Sequence, residues 1–127
     1  MKGLTVFIVD DEPAVSDTLA MILNQLGCRA TAFNHPQKAL EAAPTAQPDV
    51  LITDVIMPEI NGIELGQHFR RTNPSCKVLL FSGEMETANL LGEAKEQGHT
   101  FDIMAKPVHP KELLEKLRDL VGVEFCS

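Results

Sequence analysis

Five short apolar runs punctuate the chain, and each is followed by a segment whose apolar residues recur at helical spacing. "LTVFIV" (Leu4–Val9) is unbroken and rich in β-branched residues, the pattern of a strand covered on both faces. "CRATAF" (Cys28–Phe33), "DVLIT" (Asp49–Thr53), "CKVLLFS" (Cys76–Ser82) and "FDIMA" (Phe101–Ala105) read as four more strands. A first helix is expected from Pro13, a residue suited to a first turn, with Val15, Leu19, Ile22, Leu23 and Leu26 on one face and Gly27 as its stop. A short helix is expected from Pro36 to Ala43, with Pro44 and Pro48 bracketing a loop. A third, from about Gly62 to Arg71, offers Ile63, Leu65 and Phe69 for burial. The last opens at Pro110 and carries a stripe of Leu113, Leu114, Leu117, Leu120 and Val121. The segment 86–97 makes a poorer helix, because Gly92 in its interior costs about 1 kcal/mol.

Strand-helix alternation repeated five times predicts a doubly wound α/β fold: a five-stranded parallel sheet, helices on both faces, right-handed crossovers. No linker, repeat or low-complexity segment divides residues 1–127, so a single domain is expected, with a core of about residues 4–121. The formal net charge is −7, and the densest basic stretch is Arg70-Arg71. Such a surface repels nucleic-acid phosphate and anionic lipid, so no direct nucleic-acid or membrane partner is expected. No apolar run approaches the ~20 residues that cross a bilayer. The amino-terminal run is followed by acids and reads as a strand rather than a signal peptide, so a cytoplasmic location is expected. Cys28, Cys76 and Cys126 are too far apart for a metal motif or a disulfide framework. His35, His68, His99 and His109 share no metal spacing and are expected at the surface or as helix caps.

In an open parallel sheet, ligands bind at the carboxyl ends of the strands. There the sequence places Asp10-Asp11 after the first strand, Asp54 after the third, Ser82-Gly83 at the fourth and Lys106-Pro107 after the fifth. The second ends in Phe33-Asn34 and offers no charge. The three carboxylates repel one another, and one lysine cannot neutralise them. Hard oxygen ligands with no His or Cys alongside favour Mg2+. Such a set suits phosphoryl transfer onto a carboxylate, with Asp54 as the nucleophile. Mg2+ and Lys106 would draw charge from the moving group. The Ser82 hydroxyl and backbone N–H groups near Ile56 and Gly83 would donate to the attached phosphoryl.

"VDDE", "TDVIMPEINGIEL", "FSG" and "AKP" thus stand in order after the first, third, fourth and fifth strands. In this the chain resembles the response regulator receiver domains of two-component signalling, over about residues 4–121. The resemblance implies a CheY-like, flavodoxin-like (βα)5 sheet of strand order 2-1-3-4-5. It implies Asp54 as the phosphorylated residue, Asp11 as a direct Mg2+ ligand and Asp10 as the acid that holds metal-bound water. It further implies the Ile56 backbone carbonyl as a metal ligand, Ser82 as the switch hydroxyl and Lys106 as the partner of the phosphate. Met57, Pro58 and Gly62 match the turn that presents the phosphorylation site. One departure stands out. The family's switch aromatic sits three residues before the lysine, where this chain has Ile103, with Phe101 two residues earlier on the same side of the strand.

A separately encoded receiver is therefore expected, a switch rather than a metabolic enzyme. A histidine kinase or histidine phosphotransfer protein would supply the phosphoryl group. The face made by segment 86–97, the fifth strand and the last helix would be read by a downstream protein partner. The chain would be a monomer or a phosphorylation-dependent dimer. Two alternatives compete: a receiver-shaped interaction module that is never phosphorylated, and a phosphatase working through an aspartyl phosphate. The second needs an acid two residues after the nucleophile, where this chain has Ile56. The acids before the first helix also have a plainer reading, as favourable charges at the positive end of its dipole.

Overall fold

The computed structural model describes residues 3–55, 57, 59–82, 102–105 and 109–121. In chain order the elements are β1 (Thr5–Val9), α1 (Pro13–Gln25), β2 (Arg29–Phe33), α2 (Pro36–Ala46), β3 (Val50–Asp54), α3 (Gly62–Thr72), β4 (Lys77–Ser82), β5 (Asp102–Ala105) and α4 (Pro110–Val121). The strands form one parallel sheet of order β2-β1-β3-β4-β5, as expected. The chain leaves β1 toward β2 and then crosses back to β3. The carboxyl ends of β1 and β3 therefore flank the point where the winding reverses, which is where ligands enter such sheets.

Alternation along the strands splits the core into two layers. Val6 and Ile8 of β1 pack with Leu19 and Leu23 of α1 and with Leu113 and Leu117 of α4. Phe7 and Val9 face the other way, toward Ala39 of α2 and Leu65 and Phe69 of α3. Phe7 meets the Phe33 ring at 4.8 Å and the Phe69 ring edge-on at 6.1 Å. Aromatic pairs of this kind contribute about 0.5–1.5 kcal/mol beyond their buried area. The helix expected over residues 86–97 lies outside the described residues.

Gly27 ends α1 as expected: its φ of 94° turns the chain, and the Cys28 N–H then donates back to the Leu23 carbonyl at 3.1 Å. At the outer edge of the sheet, the Asn24 amide donates to the Ala30 carbonyl at 3.0 Å and accepts the Ala30 N–H at 2.8 Å. It thereby closes β2 at that residue to pairing with another chain.

β1, β2, β3 and β4 each begin one residue later than expected, and two further boundaries differ. α2 does not stop before Pro44 but runs through it to Ala46. The proline forfeits one backbone bond, and the last turn is closed downstream by the Gln47 N–H donating to the Ala43 carbonyl at 2.8 Å, with Gln47 left-handed at φ 46°. β3 runs one residue further than expected, so Asp54 is its last member and pairs with Phe81 of β4.

Cys76, just before β4, is 3% exposed. Burial, and secondarily the nearby Asp49 carboxylate, pushes its thiol up to about 12; burial also raises Cys28. Above the ordinary thiol value of 9.0 the unfolded chain releases the Cys76 proton while the folded chain keeps it until about 12. The unfolded state then binds fewer protons, so this contribution to stability is complete below that window and is lost as pH rises through it. The slope approaches at most about 1.4 kcal/mol per pH unit for one thiol. The urea midpoint is expected to fall between roughly pH 9 and pH 11, and to fall less steeply in Cys76→Ala. Equal slopes in the two proteins would contradict this. The chain has no tyrosine, so no phenol titrates in the same range.

Candidate functional site

Asp10 leaves β1 under tight control. Its N–H donates to the Phe33 carbonyl of β2 at 3.0 Å, and its Oδ1 accepts the Glu12 N–H at 2.9 Å. That short turn aims the chain into α1, where Pro13 takes the first helical position. Glu12 stands at the N-cap position without a side-chain cap bond, so capping does not account for this acid.

Asp54 is placed by β3 and by the loop that follows. The Val55 N–H extends the pairing to the Phe81 carbonyl at 3.1 Å, and the Gly62 N–H closes the loop on the Val55 carbonyl at 2.8 Å. The buried Thr53 hydroxyl donates to the Asp54 carbonyl at 2.9 Å, with Met57 packed nearby. Asn61 starts α3 by accepting the Glu64 N–H at 2.8 Å. Glu59, left-handed at φ 71°, meets His35 Nε2 at 3.3 Å and so ties this loop to the one before α2. Both partners are substantially exposed, so this pair adds little stability. The histidines behave as expected where they are described as caps. Nδ1 of His35 accepts the Gln37 N–H, and Nδ1 of His109 accepts the Lys111 N–H.

The result is a cluster in which one oxygen from each of Asp10, Asp11 and Asp54 lies within 4.8 Å of the others. Asp10 and Asp54 are 1% and 8% exposed, whereas Asp11 is exposed. A like-charge pair at this separation costs about 3 kcal/mol at an effective dielectric near 20. The donor set is carboxylate oxygen alone, two members are out of solvent, and their spacing is close enough for a shared ion. These residues fit a hard divalent cation such as Mg2+.

Of the other expected site residues, the backbone of Ser82 ends β4 in register with Ala105, the last residue of β5. The Ser82 side chain, Ile56, Pro58, Gly83, Phe101, Lys106 and Pro107 lie outside the described residues. Ile103 is described and is 42% exposed on β5. A cavity of about 350 Å³ between α2 and α3, lined by Leu40, Pro44, Pro48, Phe69 and Pro74 among others, lies away from the acids.

Two contributors were not picked out from the sequence. Thr53 looked like one more β-branched strand residue, yet its hydroxyl holds the Asp54 carbonyl. Asn34 carries no charge, yet its amide reaches Asp10 and Ser16. The available signal was position: a donor at the carboxyl end of a strand neighbouring the acids.

The family model for the response regulator receiver domain matches residues 6–118. The transcriptional regulatory protein CreB of Escherichia coli (strain K12) is 35% identical over 122 residues, which is 95% of this chain and 52% of CreB. The chain spans about half, or less, of the length of the curated relatives it matches. Among solved structures, an uncharacterised protein from Neptuniibacter caesariensis aligns with a TM-score of 0.83 at 26% identity, covering 94% of this chain and 87% of that one. The chemotaxis protein CheY4 of Vibrio cholerae aligns with a TM-score of 0.79 at 25% identity, covering 94% and 99%. Sheet order, acid cluster and family match agree: the chain belongs to the response regulator receiver domain family, which serves two-component signalling rather than metabolic catalysis.

Proposed function

We propose that this receiver accepts a phosphoryl group on Asp54 and that the carboxylates of Asp10, Asp11 and Asp54, with the Ile56 carbonyl, hold Mg2+ beside it. The observation that carries this reading is the convergence of three carboxylates on the reversal point of the sheet, with Asp54 buried and braced through its backbone. When bound, Mg2+ offsets the charge of the phosphoryl oxygens. An Asp54 oxygen forms the new O–P bond as the P–N bond of a phosphohistidine donor breaks, and the imidazole leaves with the bonding pair. β3 and the Gly62–Val55 bond fix where that oxygen can be. Lys106 pairs with the transferred group, and the Ser82 hydroxyl and the N–H groups of Ile56 and Gly83 donate to it.

The donor is a histidine kinase or a histidine phosphotransfer protein. Ser82, with Ile103 or Phe101, carries the change to the face formed by segment 86–97, β5 and α4, where a protein partner reads it. The exposure of Ile103 on β5 supports this assignment. The regulatory names of CreB and of PhoB from Pseudomonas aeruginosa support an output in gene expression. With a net charge of −7, this chain would reach DNA through another domain or partner. Residues 1–127 act as one domain, monomeric or dimerising on phosphorylation, in the cytoplasm. Among the described residues no helix is long and apolar enough to cross a membrane.

Acetyl phosphate with Mg2+ tests the reading by intact mass. The expected product carries one added phosphate, and the gain disappears when EDTA replaces Mg2+. A mass unchanged under both conditions would refute phosphoacceptor function.

A further inference from the structure

We propose that Asn34, immediately after β2, is a positioning residue for the loop that presents Asp10 and Asp11; the inference rests on the Mg2+ reading above. The Asn34 amide Nδ2 donates to the Ser16 hydroxyl at 3.0 Å and, at 3.4 Å, to the Asp10 carbonyl. The preceding residue, Phe33, accepts the Asp10 N–H at 3.0 Å. Consecutive residues at the end of β2 therefore grip both backbone groups of Asp10, while its carboxylate accepts the Glu12 N–H.

Ser16 anchors the other end. It is fully buried in α1, and its hydroxyl donates to the Pro13 carbonyl at 3.4 Å, which leaves a lone pair for Asn34. Asn34 thus bridges the strand end on one side of Asp11 and the first turns of α1 on the other. The polarity of the bridge runs one way. A carbonyl can only accept, so the group facing Asp10 must be a donor, and a carboxylate of the same shape cannot replace the amide. Without the bridge, the mutual repulsion of the three carboxylates meets less resistance from the loop, although the Phe33 and Glu12 bonds to Asp10 remain, and the cation must then do more to hold the ligands together. Supporting bonds of this kind typically set metal affinity by about 10–100-fold.

The test titrates wild type, Asn34→Ala and Asn34→Asp with MgCl2 alone, reading the dissociation constant by calorimetry and the unfolding midpoint with and without metal. Asn34 is exposed, so the metal-free midpoint is expected to move little. The dissociation constant is expected to rise about tenfold in both variants. Asn34→Asp is the more discriminating variant, because a role through charge alone makes an added carboxylate tighten Mg2+. Ser16→Ala is expected to weaken Mg2+ in the wild-type background and to add nothing in the Asn34→Ala background. Three results each overturn the proposal: affinity within about twofold of wild type in Asn34→Ala, tighter binding in Asn34→Asp, or additive effects of the Ser16 and Asn34 changes. Wild type that binds no Mg2+ removes the metal reading itself, an outcome distinct from unaltered affinity in the variants.

Discussion

Asp54→Asn is expected to gain no phosphate from acetyl phosphate and Mg2+, a complete loss rather than a slowing. The carboxamide is a poor nucleophile, and Asp10 and Asp11 stand after a different strand, where the β3–β4 pairing cannot aim them. The same substitution is expected to stabilise the metal-free protein. Asp10 and Asp54 are both buried within 4.8 Å of each other. Removing one charge from such a pair relieves a repulsion on the order of 3 kcal/mol at an effective dielectric near 20. The response to metal should weaken in parallel. A ligand at a hundred times its dissociation constant stabilises its protein by about 2.7 kcal/mol, so wild type in saturating Mg2+ should unfold later by that order. Asp54→Asn should show a smaller increment from a higher starting point. Urea unfolding with and without Mg2+ measures both, and it shows that the phosphate-dead variant is folded. A variant that still gains phosphate would move the acceptor to another side chain. A variant less stable without metal than wild type would mean that the cluster is not held under repulsion.

How much of this was legible in the chain depends on where each signal resides. Strand runs such as Leu4–Val9 announce themselves by composition, and the alternation of strands with helical stripes implies a parallel sheet. Its order followed from the family resemblance and is the order observed. The acids were legible because a carboxylate at a strand end has no place in a core. Boundaries were less so. Pro44 reads as a helix stop from local preference, but the downstream closure at Gln47 lets α2 continue. Asn34 was invisible as a contributor because its role is a hydrogen bond across neighbouring chain ends, which depends on the β2–β1 register, and Thr53 because its hydroxyl turns onto the carbonyl of the next residue, a side-chain orientation that strand composition does not announce. Gly62 was seen, but as a turn residue. The structure gives it a different task, which leads to the second large effect.

Gly62→Ala is expected to cost about 3 kcal/mol or more, beyond the usual range for a small exposed change. Gly62 is the first residue of α3 and is buried against the strand end. A Cβ built there would collide with the Asp54 carbonyl oxygen and would lie 2.9 Å from the Asp54 carbonyl carbon and 3.0 Å from the Val55 Cα. All three are backbone atoms, so no side-chain rotation relieves the overlap. The opposing term is the better helix propensity of alanine, worth up to about 1 kcal/mol, and it is too small to reverse the sign. Relief has to come from moving α3 outward or β3 inward, and either stretches the Gly62–Val55 bond of 2.8 Å and shifts the residue proposed to take the phosphoryl group. Stability and phosphorylation should therefore fall together, whereas Asp54→Asn separates them, losing phosphorylation while keeping the fold. Urea midpoints and the rate of phosphate gain, measured below the onset of unfolding, test the coupling. Wild-type stability in Gly62→Ala would show that the helix start does not press on the acceptor strand. Lost stability with an unchanged phosphorylation rate would show that the contact serves the fold alone.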